Sequence, residues 1–217
     1  MIQTSRKFEY GYQDSSLTNA HSFLMSPLLS LLSENDKSKA RKLRVLDLGC
    51  GNGSLSHVIA QQGYEVVGID DSKQGITIAS QNFSDCHFIQ ASIYDLPQNE
   101  LKKSFDIVIS VEVIEHLLYP KELVKSAKEY LKPNGRLIIS TPYHGYLKNI
   151  AMAISGKMDS HFTALWDGGH VKFFSVKTLT TLLEAEGYTD INFKFAGRLP
   201  YLWKTMLCAC SLVQPET

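Results

Sequence analysis

The stretch Val45-Leu46-Asp47-Leu48-Gly49-Cys50-Gly51-Asn52-Gly53 joins a short apolar run to three glycines at alternate positions. The apolar run predicts a buried β-strand, and the segment that follows, 54–62, predicts a helix that ends before Gly63. Glycines between a strand and a helix allow positive φ angles and let a ligand approach the backbone closely. We therefore expect a ligand-binding loop at the carboxyl end of this strand.

Short apolar runs and helical segments alternate along the rest of the chain. Helices are predicted at 54–62, 73–83, 121–131 and 176–186, and strands at 43–48, 65–69, 87–90, 105–111, 136–141, 191–196 and 205–212. This alternation predicts an α/β fold, a Rossmann-like doubly wound sheet of seven mostly parallel strands. Only residues 197–204 separate the last two strands, too few for a helical crossover, so we expect an antiparallel C-terminal strand.

The chain of 217 residues, 44% of them apolar, is long enough for one well-packed core, and we expect a single domain over residues 1–217. Pro27 lies in an apolar helical stretch and predicts either a kink or two short helices there. Residues 145–172 are expected to be long and irregular, as functional loops often are. The predicted parts are an N-terminal helical cap (1–36), a cofactor-binding core (37–142), a substrate-side insertion (143–174) and a C-terminal helix with strands (175–217).

Composition limits the partners and the compartment. Lys plus Arg and Asp plus Glu both number 22, and this zero net charge argues against a nucleic-acid-binding protein. No apolar stretch of about 18 residues is present, so no membrane span is expected. The four cysteines show neither zinc nor disulfide spacing, and no signal peptide is recognised, so we expect a cytoplasmic protein. The oligomeric state is left open.

The residues around the glycine loop favour one kind of nucleoside ligand. Asp70 ends the second predicted strand, 17 residues after Gly53, where a carboxylate accepts hydrogen bonds from both ribose hydroxyls of an adenosine. A nicotinamide-dependent oxidoreductase is the alternative, but its G-x-G-x-x-G pattern fails at Ser54 and Ser56. Asp47 would repel a pyrophosphate and attract a cationic amino-acid group. The expected ligand is an adenosine with a cationic tail.

Several motifs of the sequence resemble those of a known family. Asp47-Leu48-Gly49-Cys50-Gly51-Asn52-Gly53 is similar to the cofactor-binding motif of class I S-adenosylmethionine-dependent methyltransferases, and segments 68–70, 91–97, 105–111 and 131–137 resemble further motifs of that family. The resemblance implies S-adenosylmethionine as cofactor and S-adenosylhomocysteine as product. The cofactor-binding residues that it implies are Asp47, Gly49, Gly51, Gly53, Asp70, Asp71, Ser92, Ile93 and Val111. Many family members carry an acidic residue where Ser92 stands, so this contact is expected to be weaker than that of Asp70.

The segment Val111-Glu112-Val113-Ile114-Glu115-His116-Leu117 resembles the quinone-biosynthesis O-methyltransferase branch of the family. In that branch the residues matching Glu112, Glu115 and His116 are associated with a divalent metal. We do not favour a metal here and assign no metal ligand. His116 is predicted instead as a general base, with a purely structural role as the other reading, and His144 and His170 are rival bases.

The predicted function is O-methylation of a small hydroxylated acceptor: a phenol, a quinone precursor or a sugar. The sulfonium already activates the methyl group, so a base is needed only when the acceptor must lose a proton. Two alternatives remain open from sequence. One is methylation of a carbon, nitrogen or carboxylate on a small molecule, and the other is a non-catalytic module that only binds S-adenosylmethionine.

Overall fold

A computed structural model describes residues 10–34, 41–97, 101–162 and 164–212. The parts of the predicted cap and of the predicted core that fall on residues 1–9 and 35–40 lie outside the described residues. The described strands are β1 (Arg44–Leu48), β2 (Glu65–Asp70), β3 (Cys86–Gln90), β4 (Phe105–Val111), β5 (Leu131–Pro142), β6 (Tyr188–Ala196) and β7 (Thr205–Leu212).

Helices surround these strands. They are α1 (His21–Ser33), α2 (Ser54–Gln61), α3 (Lys73–Asn82), α4 (Pro120–Tyr130), α5 (Tyr146–Ile154), α6 (Met158–Phe162) and α7 (Val176–Ala185), with a 3₁₀ turn at Ile114–His116. Within the described ranges, every helix is too short or too polar to cross a membrane.

The seven strands form one sheet in the order β3-β2-β1-β4-β5-β7-β6. β1 pairs in parallel with both β2 and β4, so the strand order reverses at the point where the glycine loop leaves β1. β7 pairs antiparallel with β5 and with β6. The predicted doubly wound, mostly parallel sheet with an antiparallel C-terminal strand is therefore confirmed. The reversal opens a crevice at the carboxyl ends of β1 and β4, where ligands bind in such folds.

Both faces of the sheet are covered, which explains why its central strands are apolar throughout. Neighbouring residues of one strand point to opposite faces. Val45 and Ile107 pack with the leucines of α1 on one face. Leu46 and Val108 pack with α4 and α7 on the other.

The structure decides one local alternative and corrects another prediction. Of the kink or two short helices expected at Pro27, two helices are excluded: α1 is one helix, and the burial of Leu24, Leu28, Leu31 and Leu32 offsets the hydrogen bond that proline cannot make. The segment 145–172 is not irregular throughout, since it contains α5 and α6. The insertion is thus partly helical.

Asp106 in β4 ties together three parts of the chain at the edge opposite the crevice. Its carboxylate accepts hydrogen bonds from the Arg41 guanidinium (2.8 and 2.5 Å), from the Arg44 backbone N–H (2.9 Å) and from Lys132 Nζ (3.1 Å). Partial burial by itself would raise the pKa of Asp106, but the hydrogen bonds from Arg41, Arg44 and Lys132 hold it well below its usual range. The chain that enters β1 is therefore fixed to the start of β5.

We expect Asp106→Asn to lower the free energy of unfolding at pH 7 by about 1–2 kcal/mol, since hydrogen bonds to a charged group contribute about 1.5–3 kcal/mol and these are partly exposed. The folded pKa is depressed, so this stability is present above the unfolded pKa of about 4 and is lost as the pH falls below it. Urea unfolding at a series of pH values from 7 to 3 measures the effect, with Glu184→Gln on the exposed face of α7 as control. If the difference in free energy of unfolding between the wild type and Asp106→Asn stayed constant from pH 7 to pH 3, the stabilisation would not come from the ionised carboxylate.

Candidate cofactor and acceptor site

The glycine loop after β1 needs glycine for both conformation and space. Gly49, Gly51 and Gly53 have φ angles of 87°, 56° and 76°, a region that residues with a side chain rarely adopt. A Cβ atom at Gly51 would lie 2.5 Å from the Tyr12 hydroxyl oxygen, and one at Gly53 would lie 2.6 Å from the Ala79 Cβ. The loop therefore brings bare backbone to the crevice.

Asp70 holds this loop in place from the end of β2. Its two carboxylate oxygens accept hydrogen bonds from the backbone N–H groups of Gly51 (2.8 Å) and Ser72 (2.8 Å). Burial raises the pKa of Asp70, while these two hydrogen bonds act in the opposite direction. Each oxygen of an ionised carboxylate can accept a second hydrogen bond, so the side chain can also accept from two ribose hydroxyls.

A cavity of about 390 Å³ lies along the carboxyl ends of β1, β2 and β4. Its size is within the range of small-molecule sites. Seven of the predicted cofactor-binding residues line it: Gly49, Gly51, Asp70, Asp71, Ser92, Ile93 and Val111. Asp47 and Gly53 are not among the lining residues. The order of the sheet thus brings most of the predicted set to one place.

Asp47 lies behind the loop rather than in the cavity. Its side chain is 1% exposed, and its Oδ2 accepts a hydrogen bond from the Ser56 hydroxyl at 2.6 Å. Burial raises the pKa of Asp47 to about 7, although the Ser56 hydrogen bond opposes this. Asp47 is therefore not one of the residues that face the cavity, where the direct contact expected from sequence would have placed it.

Residues 10–18, here called the N-terminal strap, supply part of the cavity wall that sequence reasoning missed. Tyr10 and Tyr12 both line the cavity. The Asn52 side-chain amide, on the glycine loop, donates to the backbone carbonyls of Asp14 (2.8 Å) and Ser16 (2.9 Å) and so holds the strap against the loop. The two tyrosines near the start of the sequence were the available signal, but nothing local connects them to the loop.

His116 lies in the 3₁₀ turn after β4 and lines the cavity. Its Nδ1 lies 2.5 Å from the Tyr10 hydroxyl oxygen, 2.9 Å from the Gly168 carbonyl oxygen and 3.3 Å from the Gly169 carbonyl oxygen. Carbonyl oxygens only accept, so they favour the tautomer with the proton on Nδ1 and a free lone pair on Nε2. Burial lowers the pKa of His116 below its usual 6.5, while the hydrogen bonds to Gly168 and Gly169 oppose the shift. The imidazole is therefore neutral near pH 7.

The other two histidines proposed as bases lie outside the cavity lining. His144 is 7% exposed and packs against Phe162 and Phe173, and burial, followed by the charge of Lys148, lowers its pKa to about 4. His170 stands behind His116, with 4.8 Å between the ring centroids. Burial is also the main cause that lowers the pKa of His170 to about 4. Of the three, only His116 lines the cavity.

The two glutamates of the same segment have different surroundings. Glu112 lines the cavity, and its Oε1 accepts hydrogen bonds from the hydroxyls of Ser140 (2.8 Å) and Thr205 (2.8 Å). Glu115 is fully buried, and neither of its carboxyl oxygens has a hydrogen-bond partner among the described residues. Burial, followed by the charge of Glu112, raises the pKa of Glu115 well above its usual value.

A divalent metal at this segment was considered from sequence through Glu112, Glu115 and His116. The described groups that come within 4.8 Å of one another are instead Glu115, His116 and His170. A carboxyl and two imidazoles are donors that transition metals accept, whereas Glu112 is held by two hydroxyls. The set thus differs from the one considered from sequence, with His170 in place of Glu112, and we assign no metal ligand.

Comparison with known proteins agrees with this geometry. The chain matches the methyltransferase domain family over residues 18–192. It therefore belongs to the S-adenosylmethionine-dependent methyltransferases, with S-adenosylmethionine as its cofactor.

Within that family the chain is similar to the ubiquinone biosynthesis O-methyltransferases. It is 32% identical to that of Cereibacter sphaeroides over 181 residues, which cover 78% of this chain and 70% of the relative. Identity with that of Haemophilus ducreyi is 39% over 105 residues, 45% of this chain and 44% of the relative. Several other such matches also span less than half of the relative's length, between 40% and 45%.

Solved structures share the fold at low sequence identity. A protein from Pyrococcus horikoshii has a TM-score of 0.68 and 22% identity, covering 93% of this chain and 95% of that one. The magnesium protoporphyrin IX methyltransferase from Synechocystis, solved with bound SAH, has a TM-score of 0.65 and 20% identity over 88% of this chain and 82% of that one.

We expect Asp70→Ala to weaken S-adenosylmethionine binding by about 10–100-fold. The variant loses the two hydrogen bonds expected from the ribose hydroxyls to the carboxylate, and the Gly51 N–H of the loop loses its acceptor. Isothermal titration calorimetry measures this, with Asp85→Ala as a control that removes one carboxylate from a surface pair with His57. Unchanged affinity in Asp70→Ala would show that this residue does not bind the ribose.

Proposed function

We propose that this methyltransferase acts on a hydroxyl group of a small acceptor (a phenol, a quinone precursor or a sugar) and that His116 is the general base. The observation that carries the proposal is the setting of His116. Of the three candidate histidines it alone lines the cavity, and its Nδ1 faces carbonyl oxygens while its pKa is lowered. A neutral imidazole with a free Nε2 at the ligand is what a hydroxyl acceptor requires.

In the proposed reaction the acceptor oxygen attacks the methyl carbon in line with the sulfonium. The new oxygen–carbon bond forms as the carbon–sulfur bond breaks, and its electron pair stays on the sulfur of S-adenosylhomocysteine. The hydroxyl proton passes to Nε2 of His116. Because the leaving group is already activated, the protein contributes mainly alignment of the three reacting atoms and removal of one proton.

Tyr10 and the insertion would position the base. The Tyr10 hydroxyl donates to the Gly168 carbonyl at 2.7 Å and lies 2.5 Å from His116 Nδ1. The Trp166 ring stands edge-on to the His116 ring, with 6.1 Å between centroids. These contacts fix the ring orientation and favour one tautomer, the usual task of groups that support a catalytic histidine.

The names of the relatives support a hydroxyl as the acceptor, since the matching curated proteins are named O-methyltransferases. The acceptor itself is a proposal, because most of these matches cover less than half of the relative. The fold alone does not identify the reaction. The [4+2]-cyclase SpnF has a similar fold, with a TM-score of 0.64 and 16% identity over 86% of this chain and 80% of that one.

We expect His116→Gln to reduce kcat by about 10²–10⁴-fold, the usual contribution of a general base, while the affinity for S-adenosylmethionine changes less than threefold, by our rough expectation. Formation of S-adenosylhomocysteine on a panel of phenols and sugars gives the rate. His87→Gln is the matched control, since His87 is exposed in β3. Normal turnover by the His116 variant would contradict the base assignment and favour carbon, nitrogen or carboxylate methylation.

The pH dependence gives a separate test. Because the pKa of His116 is lowered from 6.5, the base is unprotonated at neutral pH and becomes protonated only in more acidic solution. We expect kcat/KM to be level at pH 7 and above and to fall only at a pH below the usual histidine value of about 6.5, since the protonated imidazole cannot accept the hydroxyl proton. The initial rate measured from pH 8 down to the most acidic pH at which the protein stays folded shows this fall, roughly tenfold per pH unit on the acid side. A profile without an acid limb on a hydroxyl acceptor would overturn the assignment.

A further inference from the structure

A group of basic side chains converges beyond Glu112, on the side of the insertion. Lys148 in α5 is only 4% exposed, although a lysine is rarely buried unless it is paired. Its Nζ donates to the Tyr143 backbone carbonyl at 2.7 Å. Among the described residues, no carboxylate oxygen lies within 4.0 Å of this nitrogen. The buried Lys148 ammonium is therefore hydrogen-bonded to a neutral backbone carbonyl and not to a carboxylate.

Arg198 adds a second positive charge near Lys148, and the Glu112 carboxylate acts against it. Burial, followed by the charge of Arg198, lowers the pKa of Lys148 to about 8, while Glu112 opposes this. Burial and the charges of Lys148 and Arg198 also lower the pKa of His161, which stands beside His144 with 5.4 Å between ring centroids. Lys148 and Arg198 repel each other, and an anion bound beside them relieves that repulsion.

Polar atoms without partners lie in the same place. His144 Nδ1 and Asn149 Oδ1 are buried and make no hydrogen bond within 3.5 Å among the described residues, although Asn149 is near enough to His144 to oppose the lowering of its pKa. The first turn of α5, which starts at Tyr146, has neither a capping side chain nor an acidic residue, so its N–H groups and its dipole also favour an anion. Buried groups left unpaired in a folded protein call for a ligand or a water.

The location connects this cluster to the reaction. Tyr143 and His144 directly follow β5, as Glu112 follows the neighbouring β4, so both lie at the carboxyl edge of the sheet. Glu112 lines the cofactor cavity, and the charge of Lys148 opposes the rise in the pKa of Glu112 that burial causes. Tyr143 and His144 are therefore about one strand spacing from Glu112, just beyond the residues that line the cavity.

We propose that Lys148, with Arg198 and His144, forms a subsite for an anionic oxygen group of the acceptor, a carboxylate or a phosphate. The inference rests on the proposed function, because it assigns a substrate class to the same site: hydroxylated molecules that also carry a negative charge. Lys148 supplies the fixed charge, and the His144 ring supplies a hydrogen bond. The Arg198 guanidinium, on the exposed connection between β6 and β7, attracts the anion from solvent.

Two acceptors that differ only in the charged group test the subsite. The protein saturated with S-adenosylhomocysteine is titrated with catechol and with 3,4-dihydroxybenzoate in a calorimeter, and orthophosphate is titrated as a second anion. We expect dihydroxybenzoate to bind at least roughly tenfold more tightly than catechol, the value of one charged hydrogen bond. Lys148→Met should bring the two affinities within about twofold, whereas Lys148→Arg and the exposed-site control Lys177→Met should keep the difference.

Thermal unfolding of each variant shows that it is folded before binding is compared. Equal affinity of the wild type for both acceptors, loss of the preference in Lys177→Met, or retention of it in Lys148→Met would overturn the subsite. If the wild type bound neither dihydroxybenzoate nor orthophosphate, the subsite would also be overturned. Methyl transfer is assayed separately, so absence of turnover on every hydroxylated acceptor, with anion binding intact, counts against the proposed function alone.

Discussion

The contact on which the site depends is the pair of hydrogen bonds that Asp70 accepts from Gly51 and Ser72. It joins the ends of β1 and β2 and fixes a loop whose glycines all have positive φ. Without this carboxylate, the N–H groups of Gly51 and Ser72 would lose their acceptor, and the loop would be held by its remaining contacts alone. The same side chain lines the cavity, so one residue both holds the loop and is proposed to bind the nucleoside.

A second set of contacts completes the site from outside the sheet. The N-terminal strap is held to the glycine loop by Asn52, and the insertion reaches the same cavity edge through Gly168. Both meet at His116. The sheet thus provides the cofactor side, while two segments from opposite ends of the chain orient the side chain that is proposed to take the proton.

The sheet and its glycine loop were predictable because their signals are local. Phe105–Val111 and Thr205–Leu212 have the predicted bounds, since an apolar run between polar flanks defines a buried strand directly. Helix α5 was missed because its pattern is inverted: Lys148 is buried, whereas Tyr146 and Ile154 are 86% and 84% exposed. No rule of periodicity assigns such a face to the interior.

The candidate site was predictable only in part, for a related reason. Glycines and carboxylates at strand ends are placed by topology, so Gly49, Gly51 and Asp70 could be assigned from sequence. Tyr10 comes to His116 across 106 residues of chain, and no local pattern records that contact. The position of Asp47 behind the loop likewise depends on its Ser56 partner, which the strand pattern does not show.

The Tyr10 hydroxyl links the N-terminal strap to the turn that carries His116 and to the insertion at Gly168. His116 and the insertion also contact each other without the strap, because His116 Nδ1 lies 2.9 Å from the Gly168 carbonyl oxygen. Removal of the strap would therefore uncover the cavity and still leave the imidazole oriented. Access to the cavity and orientation of the imidazole thus depend on separate contacts.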